Sequence, residues 1–285
     1  MILFGQQLPA LTVMKSTGPG RFLTAAAYPA GTSPTRIAVA DFNGDSNLDV
    51  AALGTSASVA VLLGDGKGRL GPVHEYPLSS AATAFAAADV NGDGKQDLVF
   101  AGSNLIQTLP GNGDGTFGAA ITSPCFLCGI AVIVADVNHD GKLDVITGSG
   151  LGLAVSLGNG DGTFQKPSIY SFYRLSSIAV ADLNGDGNLD VVVSQIRTKN
   201  SGGGVYIFFG NSNGTFGSPL LLNTAGIDAI IGDFNNDGIP DIATGYNFSA
   251  AIYLGNGDGT FQPPLLQGGY MYPPLLAADM NGDGN

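Results

Sequence analysis

The chain is 285 residues long, 44% apolar and only 12% charged, with a net charge of −12 and 44 glycines. That is enough apolar mass to bury a large core as one domain, and with no basic stripe the chain is not expected to bind nucleic acid. No run of about 18 apolar residues occurs, which excludes a membrane-spanning helix, and the opening Met-Ile-Leu-Phe-Gly-Gln-Gln lacks the basic region and cleavage site of a signal peptide, so any such signal is expected outside this segment.

In chain order, Ile2-Leu-Phe-Gly5 and Ala10–Met14 read as two strands, and Gly18-Pro-Gly-Arg-Phe22 as the turn that follows them. Next comes a nine-residue phrase, Asp41-Phe-Asn43-Gly-Asp45-Ser-Asn47-Leu-Asp49, with an oxygen-bearing side chain at every second position. It returns as Asp89, Asn91, Asp93, Lys95 and Asp97; as Asp136, Asn138, Asp140, Lys142 and Asp144; as Asp182, Asn184, Asp186, Asn188 and Asp190; and as Asp233, Asn235, Asp237, Ile239 and Asp241. A sixth copy begins with Asp279, Asn281 and Asp283 and stops before its ninth position.

Hard cations such as calcium take six to eight oxygens at about 2.3–2.6 Å, and a tight loop supplies them by turning alternate residues inward. Positions 1, 3, 5 and 9 offer side-chain oxygens, and position 7 (Asn47, Lys95, Lys142, Asn188, Ile239) offers its carbonyl. Position 6 is glycine in four of the five complete copies (Gly94, Gly141, Gly187, Gly238), which eases the sharp turn, and Ser46 is the exception. An EF-hand needs Glu at position 12 and flanking helices. Here position 12 is Ala52, Phe100, Thr147, Val193 or Thr244, and the flanks are short β-branched runs such as Ile178-Ala-Val-Ala181 and Val191-Val-Val193. The sequence therefore predicts a metal loop inside a β-hairpin, with about five calcium ions and a sixth phrase that lacks its last ligand.

First aspartates stand 48, 47, 46, 51 and 46 residues apart, a spacing typical of propeller blades. A second phrase follows each complete one: Gly64–Leu70, Gly111-Asn-Gly-Asp-Gly-Thr-Phe117, Gly158–Phe164, Gly210–Phe216 and Gly255–Phe261, and such Asn-Gly and Asp-Gly steps mark hairpin turns. Each period thus reads as four strands. In the fourth these are Ser177–Ala181, Asp190–Ser194, Val205–Phe209 and a strand after Phe216. The expected fold is all-β, a single propeller over 1–285 with antiparallel four-stranded blades beginning near 36, 84, 131, 177, 228 and 274. Residues 1–35 and 274–285 together make one ordinary period, so six blades close if the termini share one. A longer, seven-bladed ring cut at both ends is the alternative.

The Asp-x-Asn-Gly-Asp-Gly loop followed by the Gly-Asn-Gly-Asp-Gly-Thr-Phe turn resembles the FG-GAP or VCBS repeat, the unit of the integrin α-subunit propeller and of many bacterial secreted proteins. The resemblance covers essentially the whole chain. It implies calcium between the first two strands of a blade, usually seven blades, and roles in adhesion or ligand binding.

The phrases hold 17 of the 23 acidic residues, so the acidity signals cations. Loops of this kind suit the millimolar calcium outside cells, which points to a secreted or cell-surface protein. Cys125 and Cys128 have no second pair to complete a zinc site and read as a local disulfide or two unreactive thiols. His74 and His139 accompany no nucleophile motif, and no catalytic role is expected. Antiparallel strands put the aspartate phrases and second turns at one end of each blade and the variable connections at the other. Those connections carry Phe172, Tyr173, Arg174, Arg197, Tyr246, Tyr270 and Tyr272, which read either as anchors for a protein or glycan ligand or as caps over the core. A lectin is the rival reading, although the chain has no Trp to stack on sugars. The remaining alternative is the non-catalytic portion of a larger secreted enzyme.

Overall fold

The computed structural model describes residues 2–4, 10–18, 21–31, 33–102, 104–196, 203–223, 226–246 and 249–268. Every regular element among them is a β-strand. The first sheet is three-stranded: β1 (Ile2–Phe4), β2 (Ala10–Gly18) and β3 (Arg21–Pro29). Five four-stranded meanders follow: β4 (Arg36–Ala40) to β7 (His74–Pro77) through β5 (Asp49–Leu53) and β6 (Ser58–Leu62); then β8 (Ala84–Ala88), β9 (Asp97–Gly102), β10 (Leu105–Leu109) and β11 (Ile121–Pro124). The third comprises β12 (Ala131–Ala135), β13 (Asp144–Ser149), β14 (Gly152–Ser156) and β15 (Ser168–Ser171). The fourth is β16 (Leu175–Ala181), β17 (Asp190–Gln195), β18 (Gly204–Phe208) and β19 (Leu220–Asn223), and the fifth is β20 (Gly226–Gly232), β21 (Asp241–Tyr246), β22 (Ser249–Tyr253) and β23 (Leu265–Gly268). These are propeller blades in both strand number and antiparallel order.

Composition explains the order of strands within a blade. Second strands are mostly apolar, as in Val50-Ala-Ala-Leu53 or Val191-Val-Val193, and they are buried on both faces. Fourth strands lie at the sheet edge and are largely exposed, and β7 and β11 end in Pro77 and Pro124, which cannot donate to a further strand.

The chain packs as two compact units, one built from Met1–Ala135, Gly141–Thr147 and Ala154–Pro167, the other from Asp136–Asp140, Gly148–Leu153 and Ser168–Asn285. In the first, β4, β8 and β12 are successive neighbours, and the core joins adjacent blades through Phe42, Leu53, Val61, Leu98, Phe100 and Phe117. In the second, β16 lies beside β20, and Leu183, Val192, Ile207, Ile242 and Tyr253 form the core. The two N-terminal strands begin where the sequence predicts them, but β2 runs four residues past Met14 and β3 starts at Arg21, so the connection expected over Gly18–Phe22 narrows to the two residues between paired Gly18 and Arg21. The partner segment 274–285, with its phrase at Asp279, Asn281 and Asp283, lies outside the described residues.

Candidate metal loops and the opposite blade ends

Each aspartate phrase closes the hairpin between a blade's first and second strands. Ala40 pairs with Asp49, Ala88 with Asp97, Ala181 with Asp190 and Gly232 with Asp241, which leaves positions 1 to 8 as the loop. Positions 4 and 6 both take positive φ. Glycine fills most of them, while Ser46 (67°), His139 (59°) and Asn236 (65°) adopt the same left-handed turn at the usual cost to an L side chain.

Within the loop the odd-numbered oxygens are fixed by backbone amides. In the first copy Asp41 Oδ1 accepts from Gly44 N at 2.7 Å and Asp45 N at 3.2 Å, and its Oδ2 accepts from Ser46 N at 2.7 Å. Asp89 and Asp182 repeat all three bonds one and three blades on. Asp136 and Asp233 accept from the position-5 amide in the same way, and Asp233 also from Gly238 N. The position-3 asparagines accept from the amide two residues on at 2.9–3.1 Å, as in Asn91 to Asp93 and Asn138 to Asp140. Position 5 does likewise, with Asp45, Asp93, Asp186 and Asp237 accepting from the position-7 amide. These bonds favour the charged form: the amide of Asn47 holds Asp45 below the usual carboxylate range, that of Asn188 does so for Asp186, and that of Gly238 for Asp233.

The closing aspartates are different. Asp49, Asp97, Asp144, Asp190 and Asp241 are fully buried. Both carboxylate oxygens of Asp49 accept backbone amides, Oδ2 from Phe42 at 2.8 Å and Oδ1 from Gly64 at 2.7 Å. Gly64 is the first residue of the blade's second turn. Asp97, Asp190 and Asp241 reproduce both bonds, and Asp144 Oδ1 accepts from Gly158 N at 2.8 Å. Burial pushes the pKa of Asp49, Asp97 and Asp190 up, the amide bonds oppose it, and the carboxylates at positions 5 and 1 of the same loop add like-charge repulsion. A divalent cation would relieve that repulsion, and the set of Asp, Asn and carbonyl oxygens suits calcium. Among the described residues no three His, Cys, Asp or Glu side chains converge closely enough to hold an ion, since the carboxylates face the loop's own amides. Of the position-7 side chains, Lys95 sits 3.4 Å from Asp93, and Asn188 bonds both Asp186 and the ring of His139 from the preceding loop.

At the other end of the blades, the structure separates the neighbours Phe172, Tyr173 and Arg174. Phe172 packs edge-on against Tyr206 and Phe208, with ring centroids 4.7 and 5.9 Å away. Tyr173 is 69% exposed, and Arg174 turns the chain at φ 57°, its amide bonded to Gly150 O. Leu151 and Ile196 are exposed beside them. Arg197, Tyr270 and Tyr272 lie outside the described residues, as does the side chain of Tyr246, whose backbone ends β21. Cys125 and Cys128 form a disulfide that leaves Phe126 exposed between them.

Two further sets of residues hold the loops and turns in place. One is the first glycine of each second turn, the amide partner of the closing aspartate. The other is a polar group at the third position of the edge strand, which reaches the next blade's second turn: Tyr76 donates to Gly115 O, Ser123 accepts from Phe164 N, and Tyr170 accepts from Phe216 N. Only the recurrence of Tyr, Ser and Tyr one period apart signals the second set.

Repeated four-stranded meanders with aspartate loops define a β-propeller class. Residues 41–100, 89–147, 136–193 and 233–285 each match the FG-GAP-like repeat, and the chain belongs to that family. No curated protein matches it. Among solved structures it resembles a lectin of Agrocybe aegerita described as specifically recognising non-reducing terminal N-acetylglucosamine (21% identity, TM-score 0.66, 93% of this chain and 75% of that one). It also resembles BBS1N, solved in complex with ARL6DN (12%, TM-score 0.57, 88% and 72%), and the Dos1 propeller (11%, TM-score 0.57, 90% and 65%). At these identities the likeness is one of fold. No helix among the described residues is long and apolar enough to cross a membrane.

Proposed function

We propose that this chain is a calcium-stabilised binding scaffold, displayed outside the cell, that holds a protein or glycan ligand on the blade ends opposite the aspartate loops and performs no chemistry of its own. One observation carries the reading: in all five loops the position-5 amide donates to both the Asp at position 1 and the Asn at position 3, and in four of them the position-5 Asp accepts from the position-7 amide. Positions 1, 3, 5 and 7 would hold the ion, with position 9 adding an oxygen where its amide partners allow. The ion would neutralise carboxylates and bind the folded loop far better than the unfolded chain. The Cys125–Cys128 disulfide suits an oxidising, extracellular setting. Exposed Tyr173 with Arg174 offers the side-chain types that most often anchor recognition. Melting the purified chain in EGTA, in calcium and in magnesium tests the metal role, and equal melting temperatures in all three would overturn it.

A lectin is the second reading, favoured by two clefts of matching build. One, of about 510 Å3, is lined by Tyr170, Phe208, Phe216 and Gly217; the other, of about 430 Å3, by Tyr76, Leu109, Phe117 and Gly118. A pocket repeated per blade gives avidity for multivalent sugars. On a glycan array in calcium, multivalent binding that Tyr170→Ala weakens would favour the lectin, and a blank array would leave the protein-ligand reading.

A further inference from the structure

The closing aspartates have a reach that the metal reading does not use. Asp97 accepts Val90 N with Oδ2 at 3.1 Å and Gly111 N with Oδ1 at 2.8 Å, so it ties its own loop to its own second turn, 111–117. The approach is close enough that a Cβ on Gly111 would stand 2.2 Å from Gln96 O. Asn112 N bonds Thr116 O across the turn, which makes 111–117 one rigid piece. From its far side Gly115 N donates to Phe42 O at 3.0 Å, and Phe42 is position 2 of the loop in the preceding blade. Phe42 N is in turn held by that blade's own closing aspartate, Asp49. The second unit repeats the path: Asp241 Oδ1 accepts Gly255 N at 2.8 Å, Gly259 N donates to Leu183 O at 3.1 Å, and Leu183 N is held by Asp190.

We infer that Asp97 and Asp241 are staples that each serve two blades, because each fixes a second turn that clamps the aspartate loop of the blade before it. The position-2 peptide is then gripped at both ends, its N–H by the aspartate of its own blade and its C=O by the turn that the next blade's aspartate holds. Order in one loop depends on a carboxylate more than one repeat away, and loosening a single staple is felt one blade upstream. The linkage needs no metal, since every step is a hydrogen bond between groups of the chain.

Hydrogen exchange measured in EGTA tests this. Asp97→Asn keeps shape and volume but can accept only one of the two amides. It is expected to speed exchange at residues 43–46 of the upstream loop about tenfold, the effect of one lost hydrogen bond. Asp93→Asn, which alters only bonds inside loop 89–97, is expected to leave 43–46 unchanged. The staple is overturned if Asp97→Asn loosens only its own blade, or if Asp93→Asn disturbs 43–46 equally. Should Asp97→Asn fail to fold, Asp241→Asn reads the same relation at residues 184–187.

Discussion

At the scale of single residues, the loops discriminate sharply between positions that look alike. Ser46 occupies position 6 at φ 67°, where Gly94, Gly187 and Gly238 stand in other copies, and its amide makes the same bond to the first aspartate that theirs do. Glycine there would keep the bond and remove the left-handed penalty of about 1–2 kcal/mol, at an entropic cost of about 0.5–1 kcal/mol. Ser46→Gly is therefore expected to stabilise the chain by about 0.5–1 kcal/mol, measured by urea denaturation, and a loss of stability would contradict the strain argument.

At the scale of elements, the second turns are organised by a single side chain. Asp114, Asp161 and Asp258 each accept the amide and hydroxyl of the threonine two residues on, and the hydroxyl bond holds each carboxylate below its ordinary 3.8. A depressed folded-state pKa contributes stability that is complete above 3.8 and is lost as pH falls through the folded value. In the fourth blade Asn213 makes the same two bonds to Thr215 without a titratable group. Acid titration by NMR is expected to move the amide resonances of Thr116 and Thr163 with midpoints below 3.8, while that of Thr215 stays still.

At the scale of the whole molecule, the proposed calcium sites would link metal binding to stability. A site held at 100 times its dissociation constant adds about 2.7 kcal/mol, so five independent sites add on the order of 10 kcal/mol, comparable with the entire stability of a typical domain. The proposed melt should accordingly rise by about 20–40 °C in calcium and little in magnesium. The gain should also grow with pH. Asp49, Asp97 and Asp190 have folded pKa values raised by burial, so the native state binds more protons than the unfolded one, and metal-free stability falls as pH climbs above 3.8. Calcium bound as proposed would favour the ionised form and offset that loss, so the difference between EGTA and calcium is expected to be larger at pH 7 than near 3.8, where these carboxylates begin to titrate.

Strands, hairpin loops, turns and the blade period are all legible in the residues alone. Those features are local: alternate oxygens, Asn-Gly and Asp-Gly steps and β-branched runs act within a dozen residues, and repetition multiplied a weak signal by five. The same spacing also places Asp49 and its equivalents in the loops. What they touch is set by the packing of the chain, because Gly64 N lies 15 residues away and Phe42 and Gly115 meet across a blade boundary that no sequence spacing records. The same holds for Phe172 and Tyr173, adjacent in sequence and equal as candidate anchors. Packing against Tyr206 and Phe208 draws the first into its blade, and the second is left to solvent at the tip of the turn between β15 and β16.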